Sequence, residues 1–114
     1  FKELEQTEIL FVHKADAAQS VIRMGRDLGA DYEEEAYWPA RVGNGAFGGL
    51  FMARLNMNLR EDKGYTYGAR SWTYRNYGTD RWELGTSVRT DATAESLFEI
   101  FKELSCSIKF KFCE

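Results

Sequence analysis

Arg60 and Tyr67 are the two residues whose types and spacing best suit binding chemistry. The pattern predicts Arg60 at the C-terminal end of a short helix, where the helix dipole favours a cation. It predicts Tyr67 on the strand that follows a tight turn at Gly64. A guanidinium and a phenol both donate hydrogen bonds, which suits the carbonyl groups of an extended peptide along a sheet edge. The residues alone leave open a second interpretation, in which Arg60 only complements the dipole and Tyr67 packs in the core in phase with Ala69.

The residues before this pair predict the helix that must position it. Phe51, Leu55 and Leu59 recur at helical spacing and define one apolar stripe. Gly48 and Gly49 come just before the stripe, where they would form a structural pivot that lets the backbone pack closely.

The other hydrophobic patterns predict the element order β-β-α-α-β-β-α-β. One helix would start from an N-cap at Asp31 and be kinked or shortened by Pro39, and another would start at Thr93 and end near Leu104. The predicted strands cover residues 8–14, 19–27, 65–75, 80–89 and 106–113, with a turn at residues 76–79. In the strand 19–27, alternation places Val21 and Arg23 on one face and Ile22 on the other. Hairpins with clustered helices predict one α+β domain over residues 1–114, a two-layer sandwich of an antiparallel or mixed sheet with helices on one face.

Composition narrows the classes of partner. The chain has 15 Lys and Arg against 18 Asp and Glu, a net charge of −3. This balance argues against a nucleic-acid partner, because phosphate binding needs a basic surface. No apolar run approaches the roughly 20 residues that a membrane-spanning helix requires, so no membrane span is expected. The first residue is Phe1, which indicates a processed product or a fragment, and the compartment is left open.

Three motifs that could carry chemistry are incomplete. Residues 43–48 match G-x-G-x-x-G, but a Glu-rich helical segment precedes them where a dinucleotide site needs a strand. His13 is the only histidine, so the chain cannot build H-E-x-x-H or H-x-x-E-H and should hold no catalytic zinc. Cys106 and Cys113 are seven residues apart and would point to opposite faces of a strand, which predicts two ordinary thiols and no mutual disulfide.

The stretch from Gly48 to Tyr67 reads GG-x-F-x-x-R-L-x-x-x-L-R-E-x-K-G-Y-x-Y. This pattern resembles the non-catalytic domain of the pitrilysin/insulinase family of zinc metallopeptidases, which includes the mitochondrial processing peptidases. The resemblance extends outward to residues 18–23 and to the junction at residues 88–93. It covers residues 8–104, and the segment 105–114 matches no pattern of that family.

The resemblance implies a role for this chain. In that family one half carries H-x-x-E-H and zinc, and the other half lacks the metal and holds the substrate backbone with an arginine and a tyrosine. Arg60 and Tyr67 fall on that pair, so the resemblance implies that this chain binds peptide and that zinc lies on a partner half, in the same or a separate chain. Domains of that family are larger than this chain, which implies that the sequence is part of one.

Two other functions are compatible with the same residues. The chain could be a structural or assembly subunit on the same fold with no peptidase role, as inactive core subunits of the family are. It could also be an isolated peptide-binding module that uses its sheet edge without a partner.

Overall fold

The computed structural model describes residues 6–29, 34–76 and 79–109. Strands β1 (Gln19–Gly29), β2 (Thr66–Asn76) and β3 (Thr79–Arg89) form the sheet. The helices are α1 (Glu34–Asn44), the short α2 (Arg54–Asn56) and α3 (Thr93–Lys109). Two π-helical segments, Gly45–Gly49 and Met57–Asp62, extend α1 and α2, and a 3-10 turn at Thr90–Ala92 leads into α3.

The sheet is antiparallel, with the strand order β1-β3-β2. β2 and β3 are the predicted hairpin, in which Asn76 pairs with Thr79 next to the loop. The alternation predicted for β1 is also present, since Ile22 is buried and its neighbours Val21 and Arg23 are exposed. The helices cover only one face of the sheet, and the predicted α+β two-layer class is therefore confirmed.

The hydrophobic core lies between that covered face and the helical layer. Leu55 and Leu59 pack against Leu84 and Val88 of β3, and Ile100 of α3 closes the cluster. All five side chains are fully buried. Burial of each such side chain stabilises the fold by about 1.5–3 kcal/mol, so this cluster makes the main hydrophobic contribution to stability among the described residues.

Asn44 and Gly48 join the helical segment formed by α1 and residues 45–49 to strand β2. The Asn44 Oδ1 atom accepts hydrogen bonds from the Ser71 hydroxyl at 2.6 Å and from the Trp82 indole N–H at 2.9 Å. The Asn44 amide nitrogen donates to the Ser71 carbonyl oxygen at 3.1 Å. A Cβ on Gly48 would lie 3.0 Å from the Ser71 backbone nitrogen, so only glycine allows this approach.

A polar network joins the helical segment formed by α2 and residues 57–62 to α3. The Asn58 amide donates to Glu99 and Glu103, at 2.9 Å in each case. The Arg54 guanidinium binds the same Glu103 carboxylate at 3.0 Å. These contacts fix the helix that ends near Arg60 on both sides, because the core holds its apolar face and α3 holds its polar face.

The strand predicted for residues 8–14 is not present. This segment has no strand pairing, and its apolar residues Ile9 to Val12 are 79–91% exposed. An apolar run shows that a segment can be buried, but a strand also needs a hydrogen-bonding neighbour. The described residues provide no such neighbour for this segment.

The strand predicted for residues 106–113 is also wrong over its described part, because α3 continues to Lys109. Cys106 is buried and disulfide-bonded, so the prediction of an ordinary thiol is wrong for this residue. That prediction assumed that a strand would send the two cysteines to opposite faces, and the argument does not apply to a helix. Residues 110–113, including Cys113, lie outside the described residues.

Pro39 lies inside α1 and does not shorten it, since α1 runs on to Asn44. The prediction for Phe51 is wrong. Phe51 is outside the core and 53% exposed, because the helix begins three residues later, at Arg54. The N-cap predicted at Asp31 lies outside the described residues.

Replacing Gly48 with alanine tests the contact with β2, with Gly45→Ala in the same π-helical segment as its matched control. Gly48→Ala should destabilise the protein by about 1–3 kcal/mol, because the new methyl group overlaps Ser71. A Cβ on Gly45 meets nothing within 4 Å, so Gly45→Ala should be neutral or stabilise by up to about 1 kcal/mol. Urea denaturation measures both free energies, and equal effects of the two substitutions would contradict the described packing.

Candidate functional site

A glycine turn joins the helix of Arg60 to the strand of Tyr67. Gly64 has a φ of +65°, in the left-handed region that only glycine occupies without strain. Its N–H donates to the Arg60 carbonyl oxygen at 3.1 Å, and the Tyr65 N–H donates to the Leu59 carbonyl oxygen at 2.8 Å. This pairing resembles a Schellman motif, which ends a helix and sets the direction of the chain that leaves it. The turn therefore fixes the backbone from Arg60 to the start of β2.

The Arg60 guanidinium lies on the helical side of this turn. It stacks over the Phe51 ring with 4.8 Å between Cζ and the ring centroid, which gives the exposed Phe51 a role as a support. Its Nη1 atom lies 2.9 Å from a Glu61 carboxylate oxygen, but the approach is not aligned for a hydrogen bond. Nη1 is buried and forms no hydrogen bond among the described residues. Such a donor can form a hydrogen bond with an acceptor on another molecule.

Tyr67 lies on the other side of the turn and is 91% exposed. The register of β2 with β3 shifts between Thr66 and Ala69, where three steps along β2 match two along β3. This is a β-bulge, which inserts one residue and re-aims the neighbouring side chains. Because of the bulge, Tyr67 is not in phase with the buried Ala69, and the core-packing interpretation of Tyr67 is wrong.

Hydroxyl groups inside the sheet hold the bulge in place. The Thr66 hydroxyl lies 2.6 Å from the Ser87 carbonyl oxygen and accepts the Gly68 N–H at 3.1 Å. The Thr86 hydroxyl donates to the Gly68 carbonyl oxygen at 3.0 Å. The backbone groups that the extra residue removes from the ladder are therefore satisfied by side chains, which makes the outward position of Tyr67 a stable feature.

Asn56 ties the helix of Arg60 directly to this bulge. Its Oδ1 atom accepts the Ala69 N–H at 3.1 Å, and its Nδ2 atom donates to the Phe51 carbonyl oxygen at 2.9 Å. Asn56 is buried, so these hydrogen bonds form away from water. One amide therefore positions both the support of Arg60, at Phe51, and the strand that carries Tyr67.

A cleft of about 310 Å³ opens beside Tyr67 on the face of the sheet that the helices leave uncovered. Its walls come from all three strands, and they include Gln19, Val21, Arg23, Trp72 and Ser87. The sequence pattern does not indicate this cleft, because the cleft joins positions that lie far apart in the chain. The alternation of β1 was a partial signal, since it placed Val21 and Arg23 on one face.

The remaining motifs do not form a second site. Residues 43–48 end α1 and enter the π-helical segment, so no strand leads into these glycines as a dinucleotide site requires. Gly49 packs against Asn44, whose carbonyl oxygen would lie 3.2 Å from a Cβ. His13 is exposed, and the described residues contain no group of three side chains that could hold a metal ion. No helix in the described part of the chain is long and apolar enough to cross a membrane.

A protein-family model identifies the class of protein that this fold and site define. The model of the peptidase M16 inactive domain matches residues 2–114. The chain therefore belongs to the peptidase M16 inactive domain family, a non-catalytic domain of pitrilysin/insulinase-type metallopeptidases. This confirms the resemblance found in the sequence, and an inactive domain is consistent with the absence of an H-x-x-E-H motif. The match includes residues 105–114, so the expectation that this segment lies outside the family pattern is wrong.

Solved structures support the same assignment at the level of the fold. A peptidase M16 inactive domain from Pseudomonas fluorescens superposes with a TM-score of 0.75 and 22% identity, over 86% of this chain and 24% of that one. A conserved protein from Enterococcus faecalis V583 superposes with a TM-score of 0.65 and 27% identity, over 79% of this chain and 21% of that one. The chain thus spans about a quarter of the length of these proteins. It has no significant match among curated protein sequences.

Replacing Gly64 tests the turn that joins the two candidate binding residues. Gly64→Ala should cost about 1–2 kcal/mol of stability, because a Cβ at positive φ is strained even where the surrounding space is open. Gly43→Ala in α1 is the matched control, since a Cβ there also meets nothing within 4 Å and the φ is not positive. Thermal or urea denaturation compares the two. A Gly64→Ala protein as stable as Gly43→Ala would contradict the left-handed turn.

Proposed function

We propose that this chain is the substrate-binding, zinc-free half of a two-part zinc metallopeptidase. Arg60 and Tyr67 hold the backbone of an extended peptide opposite a half that carries the catalytic zinc. That half is either a separate chain or another part of the same protein. The membership of the inactive-domain family supports the non-catalytic role, and the geometry around Gly64 supports the roles of the two residues.

The observation that carries the proposal is that two hydrogen-bond donors, the Arg60 guanidinium and the Tyr67 hydroxyl, flank one rigid turn. Arg60 Nη1 is buried and lies 2.9 Å from the Glu61 carboxylate as an ion pair, but it forms no hydrogen bond among the described residues. The Tyr67 hydroxyl is exposed and, in the part of the chain that the structure describes, has no hydrogen-bond partner. Buried donors are almost always hydrogen-bonded in proteins, so a buried donor that makes only an ion pair, beside an exposed donor, supports a ligand with acceptor groups.

A peptide backbone supplies such acceptors at regular spacing. Both side chains act as donors, and neither is required to give or take a proton. Their contribution to catalysis is to position the peptide and to stabilise negative charge on a carbonyl oxygen while the zinc-bearing half performs the hydrolysis. Glu61 and Phe51 limit the motion of Arg60, so less conformational entropy is lost when the peptide binds.

Substitutions at both positions test these roles in the complete two-part protein, with cleavage of an internally quenched peptide as the measurement. Arg60→Ala should lower kcat/KM by about 10- to 100-fold, because a hydrogen bond from a charged donor is lost. Tyr67→Phe removes one neutral donor and should lower it by about 3- to 10-fold. The zinc content of the protein should stay unchanged in both variants.

Two variants serve as matched controls for this experiment. Tyr74→Phe removes a hydroxyl from the same strand, and Arg26→Ala removes an exposed guanidinium from β1, outside the turn. Both should retain full activity. Undiminished activity of Arg60→Ala and Tyr67→Phe would contradict the proposal. Recovery of the chain in an assembly without peptidase activity would support a structural subunit in its place.

A further inference from the structure

We infer that the cleft beside Tyr67 is a subsite for an acidic side chain of the bound peptide, with Arg23 as the group that binds its carboxylate. This inference rests on the proposed function, because a peptide held by Tyr67 passes the mouth of the cleft. It adds a preference for one class of side chain, which the family membership does not supply. No other charged residue lines the cleft among the described residues.

The position of Arg23 is set by a glycine on the central strand. Arg23 pairs with Gly85 across the sheet, and a Cβ on Gly85 would lie 2.6 Å from the Arg23 Nη1 atom. The same Cβ would lie 3.3 Å from the Trp72 ring. The guanidinium therefore occupies the space above Gly85 that a side chain would fill, and the Trp72 ring lies next to it. A glycine at this position allows the arginine to lie close to the sheet.

Arg23 has no anion of its own in the described part of the chain. It forms no ion pair or hydrogen bond there, unlike Arg81, whose guanidinium binds Glu83 at 3.0 Å on the same face. Arg89 on the same strand as Arg81 is likewise paired, with Asp91 at 3.5 Å. Because the neighbouring carboxylates are paired with other arginines, Arg23 is available for a carboxylate from outside the chain.

The polarity of the cleft fits an acidic side chain. A volume of about 310 Å³ leaves ample room for one side chain of a bound peptide. The Gln19 amide and the Ser87 hydroxyl add neutral donors to the charged donor of Arg23. Val21 and the Trp72 ring supply apolar walls for the methylene groups of the ligand. Glutamate and aspartate side chains meet both requirements.

Peptide binding tests the subsite in the complete two-part protein, with zinc removed by a chelator so that the peptide is not cleaved. The probes are fluorescently labelled extended peptides of neutral polar sequence, each with one Glu at a different position, and each paired with the same peptide carrying Gln. Fluorescence anisotropy gives Kd for each pair. At one position, the Glu peptide should bind on the order of 10-fold more tightly than the Gln peptide, as expected for a charge-assisted hydrogen bond.

Three variants test whether the Glu preference depends on Arg23 itself or on any positive charge on the sheet. Arg23→Gln should abolish the Glu preference and leave the Kd of the Gln peptide unchanged. Gly85→Ala should reduce the preference by displacing the guanidinium. Arg70→Gln is the matched control: Arg70 also pairs with Gly85 and is exposed, but it does not line the cleft, so this variant should keep the preference.

The outcomes distinguish this inference from the proposed function. Binding that depends on Arg60 but shows no Glu preference, or a preference that persists in Arg23→Gln, would overturn the subsite and leave the proposed function standing. A Glu preference that depends on Arg23 but not on Arg60 would support the subsite and contradict the role of Arg60. Failure of every peptide to bind would overturn both.

Discussion

Two asparagines, the half-buried Asn44 and the buried Asn56, hold the helical layer on strand β2, and the candidate site depends on that attachment. Asn44 binds Ser71 through both its oxygen and its nitrogen, and Asn56 binds the backbone of Ala69. These points of attachment are two residues apart on the covered face of the strand. Away from water, a satisfied amide fixes geometry more strictly than apolar contacts, because any shift leaves a donor or an acceptor unpaired. The helix that ends near Arg60 therefore has one register against the strand that carries Tyr67.

The β-bulge allows Ala69 to face the core while Tyr67, two residues earlier, is exposed on the open face of the sheet. Strict alternation along β2 would place Thr66 and Gly68 on the covered face and Ala69 on the open face. The extra residue returns Ala69 to the core and leaves Tyr67 on the open face, where a peptide can reach it. The cleft that we assign to an acidic side chain begins at this bulge. The bulge therefore positions both Tyr67, which we propose holds the peptide backbone, and the cleft that we propose binds one of the peptide side chains.

The sequence predicted the parts of the fold that depend on local patterns. The alternation around Ile22 and the turn before Asp80 were enough for β1 and the hairpin, and the family resemblance indicated Arg60 and Tyr67. The exposure of Tyr67 could not be predicted, because a bulge is decided by hydrogen bonds between Thr66, Thr86 and Gly68 and not by hydrophobic order. Gly68, which a regular strand disfavours, was the available signal.

Other errors arose where a local pattern allowed two structures. The alternation of residues 106–113 is compatible with a strand, but the helix that starts at Thr93 continues to Lys109 and includes its first four residues. The apolar run at residues 8–14 lacks a partner strand among the described residues, and a sequence pattern cannot supply one. The cleft required the register of three strands, which places Arg23 over Gly85 and beside Trp72. No spacing within one segment contains that information.

The most direct test of the proposed function is a crystal structure of the complete two-part protein with a bound, uncleaved peptide and an inactivated zinc-bearing half. We predict an extended peptide whose carbonyl oxygens lie within hydrogen-bond distance, about 2.7–3.2 Å, of the Arg60 guanidinium and the Tyr67 hydroxyl. A peptide bound between the two halves without contact to either residue would contradict the assignment of this chain as the half that holds the substrate.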